Sequence, residues 1–475
     1  MNSALAPRHA ALDVSVLVVP GALAAALAVA TVAAASTGWQ GVLSVVWLAL
    51  VAVAWRSPAA GLVVVAVAVP FEQLLSIATL AGDLTAMEFT VWAVALGAVP
   101  RVLKRWHPGM DRVAAMHGAV VVTLVASIAA GDIRLPAWWE EVQGWLLSLV
   151  VFVIARSTLA DLRSRWLIMS ALAAGVVANA GVAVWQRGTD AGPDSFMVDG
   201  AVRVFGVFQH PNTLAAYLAF VLPLFIAASI MTRSSAAWLW RIAAAAGTAT
   251  LMLTQSRGGM MAFGAAMVVL VALVPRRIQR WIAIGALAAA MLIAATGSIE
   301  RIPAIDRFSN IVPASGPTQV TPETWGQLER EAHWGAAWSM LRSDPLFGVG
   351  AGQFNVNYRE HTPEWRFRIG RWHAHNGYLQ LGAEAGLPGV IAFAGWIGTI
   401  LVALWRRILR TSGASYLLAA GAMGAAVAWT VNNMFEYQDV PSIPIMFALV
   451  VAVGLGGVTV TDAARPRADA TGDVS

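Results

Sequence analysis

A nearly unbroken ladder of hydrophobic segments runs the length of this chain, and it leaves few folds open. Apolar stretches fall near residues 14–35, 41–55, 58–80, 86–103, 114–130, 143–155, 166–186, 213–232, 238–254, 259–275, 281–297, 385–405, 414–433 and 441–461. A bilayer core takes roughly 20 apolar residues as helix, so each stretch is a candidate span, and about 12–14 transmembrane helices are expected. Composition agrees: 58% of residues are hydrophobic and 12% charged, with a mean hydropathy of +0.68, unlike an ordinary soluble domain. The expected fold is an all-α polytopic membrane protein with one large extracytoplasmic loop containing short helices. The first stretch is too long for a typical signal-peptide core. Although its Ala-Ala-Ala-Ser end resembles a cleavage site, it reads as an uncleaved anchor.

Basic residues set the orientation, because Lys and Arg in short loops are retained on the cytoplasmic side. Arg56, the run Arg101/Lys104/Arg105/Arg112, Arg156/Arg163/Arg165, Arg233, Arg276/Arg277/Arg280, Arg406/Arg407/Arg410 and Arg465/Arg467 occupy alternate loops. Both termini are then cytoplasmic. The pI near 10.2 becomes a topology signal, and basic residues dispersed over many short loops give no support to nucleic-acid binding. The absence of cysteine excludes a disulfide framework and a thiolate metal site.

One polar stretch, 298–378, interrupts the ladder and faces outward in this topology. Long connections between membrane helices are uncommon unless they carry a function, and this one holds Arg, His, Glu and Trp at a higher density than the rest of the chain. The chain therefore divides into N-terminal helices (1–200), helices bearing arginine motifs (201–297), the large loop (298–378), C-terminal helices (379–461) and a short polar tail (462–475) read as disordered.

Two arginines sit at helix ends beside glycine. Arg257 lies in Thr254-Gln255-Ser256-Arg257-Gly258-Gly259, and Arg203 in Arg203-Val204-Phe205-Gly206-Val207-Phe208-Gln209-His210-Pro211-Asn212-Thr213. An arginine at the membrane edge is costly to desolvate unless paired, and its planar fork suits a phosphate or diphosphate. Snorkelling to lipid phosphates accounts for Arg257 about equally well. Asn212 or Thr213 reads first as the N-cap of the next helix.

Within the large loop, residues 329–341 read as an amphipathic helix with Trp334, Trp338 and Leu341 on one stripe. The Gly348-x-Gly350-x-Gly352 run lacks the strand and helix of a nucleotide loop and reads as tight backbone packing. Arg366, Arg368, Arg371, His373 and His375 converge before the chain re-enters the membrane. A histidine titrates near neutrality and can take a proton from a hydroxyl. His373 and His375 would also suit zinc on a strand, but no cysteine and no third ligand accompany them in the sequence, and no metal is assigned. Most of the 21 tryptophans read as an interfacial belt.

His375-Asn376, followed after nine residues by Gly386-x-x-Gly389, resembles the His-[Asn/Ser/Gln]-x9-Gly-x-x-Gly pattern of the O-antigen ligase and polymerase superfamily. Arg203 with Gly206 and Pro211-Asn212, Ser256-Arg257-Gly258, and the run from Arg330-x3-Trp334 to Gly350 extend the resemblance over about residues 200–400. It implies a membrane glycosyltransferase that moves a glycan en bloc from undecaprenyl diphosphate to an acceptor hydroxyl. The acceptor is a glycan, a lipid core or a protein, and the reaction is metal-independent, cofactor-free and inverting. It further implies that Arg203 and Arg257 hold the donor diphosphate and that His375 activates or orients the acceptor. Asn376, Tyr378, Arg330, Arg371 and the intramembrane carboxylate Glu384 are candidate substrate-binding or positioning residues. Capping and interface anchoring explain Asn376 and Tyr378 equally well, and Glu384 is expected near an arginine. The implied setting is the cytoplasmic (inner) membrane, with the site facing the periplasm or exterior. A polysaccharide polymerase shares every one of these features. From another class, a transporter or flippase of lipid-linked glycan is disfavoured because the charged groups gather at one edge rather than at mid-membrane, and a non-catalytic assembly partner would tolerate loss of Arg257 and His375.

Overall fold

The computed structural model describes residues 39–74, 76–79, 82–105, 111–198, 200–231, 237–274, 322–362, 367, 373–437 and 442–457. The expected spans near 14–35 and 281–297, Arg371 and the C-terminal tail lie outside these residues.

The described chain is all-α, with fourteen α-helices. They are α1 (Trp39–Arg56), α2 (Pro58–Ala68), α3 (Ala86–Arg105), α4 (Arg112–Ala126), α5 (Leu135–Thr158), α6 (Leu162–Thr189) and α7 (Pro211–Met231). There follow α8 (Ala237–Leu253), α9 (Arg257–Leu273), α10 (Pro322–Ser343), α11 (Phe354–His361), α12 (Gly377–Arg410), α13 (Gly413–Asn432) and α14 (Ser442–Leu455). Six of the helical segments are long and apolar enough to cross a membrane: Arg112–Ala130, Leu135–Thr158, Leu162–Thr189, Pro211–Ile230, Gly377–Arg410 and Gly413–Asn432. The chain is a polytopic membrane protein, as its hydropathy requires.

Three span boundaries differ from the sequence expectation. The stretch 58–80 is helical only to Ala68, then tightens into a 3-10 turn, Val69–Leu74, and a hairpin of β1 (Ser76–Thr79) and β2 (Gly82–Thr85). Pro70 sits in that tight turn, where its missing N–H and fixed φ end the α-helical ladder. Conversely, α5 begins eight residues before the expected 143, because Trp138-Trp139-Glu140-Glu141 is helical yet too polar to register as apolar. Helix α12 likewise starts at Gly377, ahead of the expected 385, because Asn376 caps it.

Helix α13 lies at the centre, packed on α7, α9, α12 and α14. Its Gly421 lets α7 come so close that an added Cβ would stand 2.8 Å from the Leu224 backbone. Trp396, Trp429, Phe447 and Phe220 interlock there, with Trp429 and Phe447 stacked at 4.2 Å. Aromatic pairs of this kind contribute about 0.5–1.5 kcal/mol each beyond the area they bury.

Helices α10 and α11 form a small polar-side layer over α12. Its core is Ala336, Ala337, Met340, Phe354, Tyr358, Ala374 and Ala383. The amphipathic helix of the large loop is therefore present, and its buried side carries His333, Ala336, Ala337, Met340 and Leu341, whereas Trp338 is exposed and lies under Arg342.

The glycines of the loop and of α12 join the layer to the bundle. Val349 N donates to Ala383 O at 2.7 Å and Leu387 N to Pro345 O at 2.8 Å. Between these bonds Gly348 (φ 64°) and Gly386 (φ 65°) oppose one another's strands of chain. A Cβ on Gly348 would lie 2.2 Å from Ala383 O, and one on Gly386 2.6 Å from Pro345 O. Left-handed backbone and this contact together require glycine, so Gly386 in the Gly-x-x-Gly pattern serves as a backbone joint. Gly350 and Gly352 press in the same way on Ile133 and Ala137.

Candidate active site

At one end of the bundle, four segments distant in sequence meet around a single carboxylate. The first runs from the end of α6 to the start of α7. Gln186 and Asn179, both buried in α6, hold its backbone: Gln186 Oε1 accepts from Phe205 N (3.0 Å) and Gly206 N (2.9 Å), and Asn179 Oδ1 accepts from Val207 N (3.0 Å). Arg203 is thereby fixed. Its Nε donates to Thr254 O at 3.0 Å and its Nη2 to Asn212 Oδ1 at 3.1 Å.

The second segment, Thr254-Gln255-Ser256-Arg257, turns α8 into α9. Thr254 Oγ1 accepts from Ser256 N, and Ser256 is the N-cap of α9, with Oγ accepting from Gly259 N. Arg257 is the first residue of that helix, where the aligned backbone dipoles already favour an anion. The Arg203 bond to Thr254 O ties the two arginine motifs together.

The sequence offers Asn212 or Thr213 as the cap of α7. Instead His210 takes that place, with Leu214 N donating to its carbonyl and Asn212 N to its Nδ1 at 3.1 Å. Partial desolvation lowers the pKa of the His210 imidazole, against the charge of Glu436, although the residue keeps surface exposure, and its Nδ1 accepts from Asn212 N. The Asn212 side chain instead reaches across the fold, where its Nδ2 donates to Glu436 Oε2 at 2.8 Å.

Glu436 follows α13, in the third segment, and it is a candidate site residue absent from the sequence expectations. Its other oxygen, Oε1, lies 2.7 Å from His375 Nδ1 and 3.7 Å from His373 Nδ1. Burial alone would raise its affinity for a proton. The bond to His375 and the charges of His375, His373 and Arg330 prevail and hold the carboxyl far below the usual carboxylate range. A Glu beside Asn432-Asn433 at the end of an apolar span was the one available signal.

The fourth segment carries His373 and His375. Asn376 caps α12 by accepting from Tyr378 N (3.0 Å) and Leu379 N (3.1 Å), and it donates to Met434 O at 3.1 Å. Gly377 N donates to Asn433 O at 2.7 Å, and Tyr378 Oη to Thr430 O at 3.2 Å. These bonds clamp the histidine segment to the end of α13. His333 from α10 stacks on His375 at 5.4 Å, and Phe354 N donates to the buried Glu384 Oε1 at 3.0 Å. Glu384, expected near an arginine, thus holds α11 onto α12 by a backbone amide.

Among the described residues only Asp190, Gln255 and His375 are non-glycine residues with a left-handed backbone. Gln255 (φ 53°) immediately precedes Ser256-Arg257, and His375 (φ 52°) is itself a proposed site residue. Such conformations cost of order 1–3 kcal/mol and persist where surrounding bonds over-determine them, as the cap at Asn376 and the turn at Thr254 do here.

The structure thus brings Arg203, the Arg257 turn, Asn376, Tyr378 and His375 to one end of the bundle, with Arg330 near enough to act on Glu436. The chain is a polytopic helical membrane protein in which arginines, histidines and one carboxylate gather at the helix ends. Residues 242–394 match the model of the O-antigen ligase family. That match supports the resemblance to the O-antigen ligase superfamily over this part of the chain, a family of membrane glycosyltransferase-like ligases and polymerases. The matched segment includes Arg257, Arg330, His375-Asn376 and Gly386-x-x-Gly389, while Arg203, Asn212 and Glu436 lie outside it. No curated protein matches the chain.

Proposed function

We propose that this protein transfers a glycan from undecaprenyl diphosphate to an acceptor hydroxyl on the outer face of the cytoplasmic membrane. The observation that carries this reading is the unbroken hydrogen-bonded chain Arg203–Asn212–Glu436–His375, which couples an anion-binding motif to a proton acceptor. Glu436, ionised and acceptor-only, draws the ring proton of His375 to Nδ1 and leaves Nε2 to take a proton. The acceptor oxygen attacks the anomeric carbon as its proton passes to His375 Nε2. The bond from that carbon to the diphosphate breaks on the opposite side, and its electron pair leaves with the diphosphate oxygen, inverting the anomeric centre. Arg203 and Arg257, with the N-terminus of α9, hold the negative charge that grows on the leaving group. No step in this scheme calls for a metal or a nucleotide.

Orientation follows from the arginine-rich ends of the helices. Arg56 and Arg101 line one cleft with Ser157 and Thr158, at the end of the bundle remote from the site. Positive residues are retained inside, which supports an outward-facing site, where no nucleotide triphosphate is available and a lipid diphosphate would be the activated donor.

Deletion of the gene and complementation with wild type, Arg257→Ala and His375→Ala tests the reading. Surface glycan length and attachment are compared with the lipid-linked pool. Long chains retained on the lipid carrier identify a ligase, and single repeat units in place of long chains a polymerase. Full rescue by both alanine variants would falsify the catalytic reading and leave transport or assembly.

A further inference from the structure

Four of the chain's eight histidines act on or stand beside one carboxylate. His373 and His375 lie within ion-pair reach of Glu436, His210 shares its electrostatic field, and His333 stacks on His375. One nitrogen from each of His373 and His375 and one oxygen of Glu436 lie within 4.8 Å of one another. The sequence showed the His-x-His pair without a third ligand, and the end of α13 supplies it. We infer that His373, His375 and Glu436 form a site for a divalent transition-metal ion of the zinc type, and that occupancy of this site switches transfer off.

The donor set is two imidazoles and a carboxylate, the combination zinc takes when one position is left open to water. Bonds of about 2.0–2.1 Å in a tetrahedron bring the ligand atoms to within about 3.3 Å of each other. The His375–Glu436 contact of 2.7 Å and the His373–Glu436 contact of 3.7 Å bracket that separation. The two imidazole nitrogens lie within 4.8 Å of each other, and His373 Nδ1 gives up the bond it accepts from His375 N at 3.2 Å when it turns to the ion. The other carboxylate oxygen is already held by Asn212 Nδ2 at 2.8 Å, so Oε1 is presented in a fixed direction. That bond orients the ligand from outside the ligand set, as partners behind metal ligands do.

The consequence for catalysis rests on the proposed transfer; the binding itself does not. A metal on Nδ1 takes the place of the proton donated to Glu436. The ring remains neutral with its one proton on Nε2, the atom that must accept the acceptor's proton. The base is lost although every catalytic residue is present.

Detergent-purified full-length wild type, His373→Ala, His373→Gln and His375→Ala are titrated with Co2+ alone, reading its visible d–d absorption, and with Zn2+ alone by calorimetry. Transfer by wild type and the two His373 variants is then measured with and without Zn2+ and after a chelator. Wild type is expected to bind one ion, to lose transfer by about 10²-fold or more when loaded, and to recover it on chelation. Both His373 variants are expected to lose the Co2+ spectrum and to transfer at a rate indifferent to Zn2+. Absence of binding by wild type, or equal binding by both His373 variants, overturns the site. Binding that leaves transfer unchanged overturns the switch. A protein that binds the ion but transfers no glycan under any condition refutes the proposed function and leaves the metal site standing.

Discussion

The two ends of the bundle both gather charge, but by different means. At the arginine-rich end Asp111 caps α4, accepting from Val113 N and Ala114 N, and its other oxygen takes Arg156 Nε at 2.6 Å. Nearby, Asp161 caps α6 through Ser164, and the bonds to Ser164 outweigh partial burial to lower its proton affinity. Each of these groups closes a helix end, largely with neighbours in sequence. At the opposite end Arg203, Asn212, Glu436 and His375 come from three separated segments, and both strained residues near the motifs are found there. Polar groups spent on caps stabilise the fold; those drawn together across the fold, at the cost of backbone strain, are arranged for a ligand.

That contrast is broken most directly at His375. His375→Ala is expected to lower transfer by about 10²–10⁴-fold, the usual contribution of a positioned proton acceptor, while the thermal unfolding midpoint in detergent stays near wild type. A collapse of stability with activity lost in proportion would place His375 with the caps instead.

Glu436→Gln sharpens the comparison, since it preserves shape and removes charge. A hydrogen bond to a charged group contributes about 1.5–3 kcal/mol, or roughly ten- to hundredfold in rate if it is realised in the transition state. The rate constant for saturating acceptor should fall by that factor with little change in donor affinity. An unchanged rate would remove Glu436 from the proton path.

How far the sequence showed this arrangement depends on the reach of each residue's bonds. Arg203 and Arg257 stand out as arginines near glycine at a membrane edge, whereas His375 stands out only through the resemblance of His375-Asn376 and Gly386-x-x-Gly389 to the ligase pattern. Glu436 does not, because its meaning arises only when α13 delivers its end to the histidine segment, 61 residues back in the chain. Asn212 was read as a cap for the same reason: its local environment allows one, and only the structure shows His210 taking that role and Glu436 taking the amide. Hydropathy located the spans but could not see Pro70 tighten the chain after α2, nor the polar first turns of α5.

At the other end of the molecule, Asp111→Ala should show the opposite pattern. Loss of the cap costs about 1 kcal/mol, and Arg156, mostly buried, is left without its partner, so a total near 2 kcal/mol is expected. The unfolding midpoint should fall while transfer per folded molecule is unchanged. A loss of transfer in the folded fraction would mean that the two ends are coupled.

The smallest effect is expected at Trp338, on the exposed side of α10. Its surface is 48% exposed and its ring supports the Arg342 guanidinium at 5.0 Å. A cation–π pair at an exposed site contributes about 0.5–1 kcal/mol, so Trp338→Ala should change stability by no more than that. Met340, two residues on and fully buried against the α11 layer, gives the control, since Met→Ala in a packed core costs about 2–5 kcal/mol. If Trp338→Ala proved the costlier of the two, α10 would be turned on its axis relative to the structure, and the stacking of His333 on His375 would go with it.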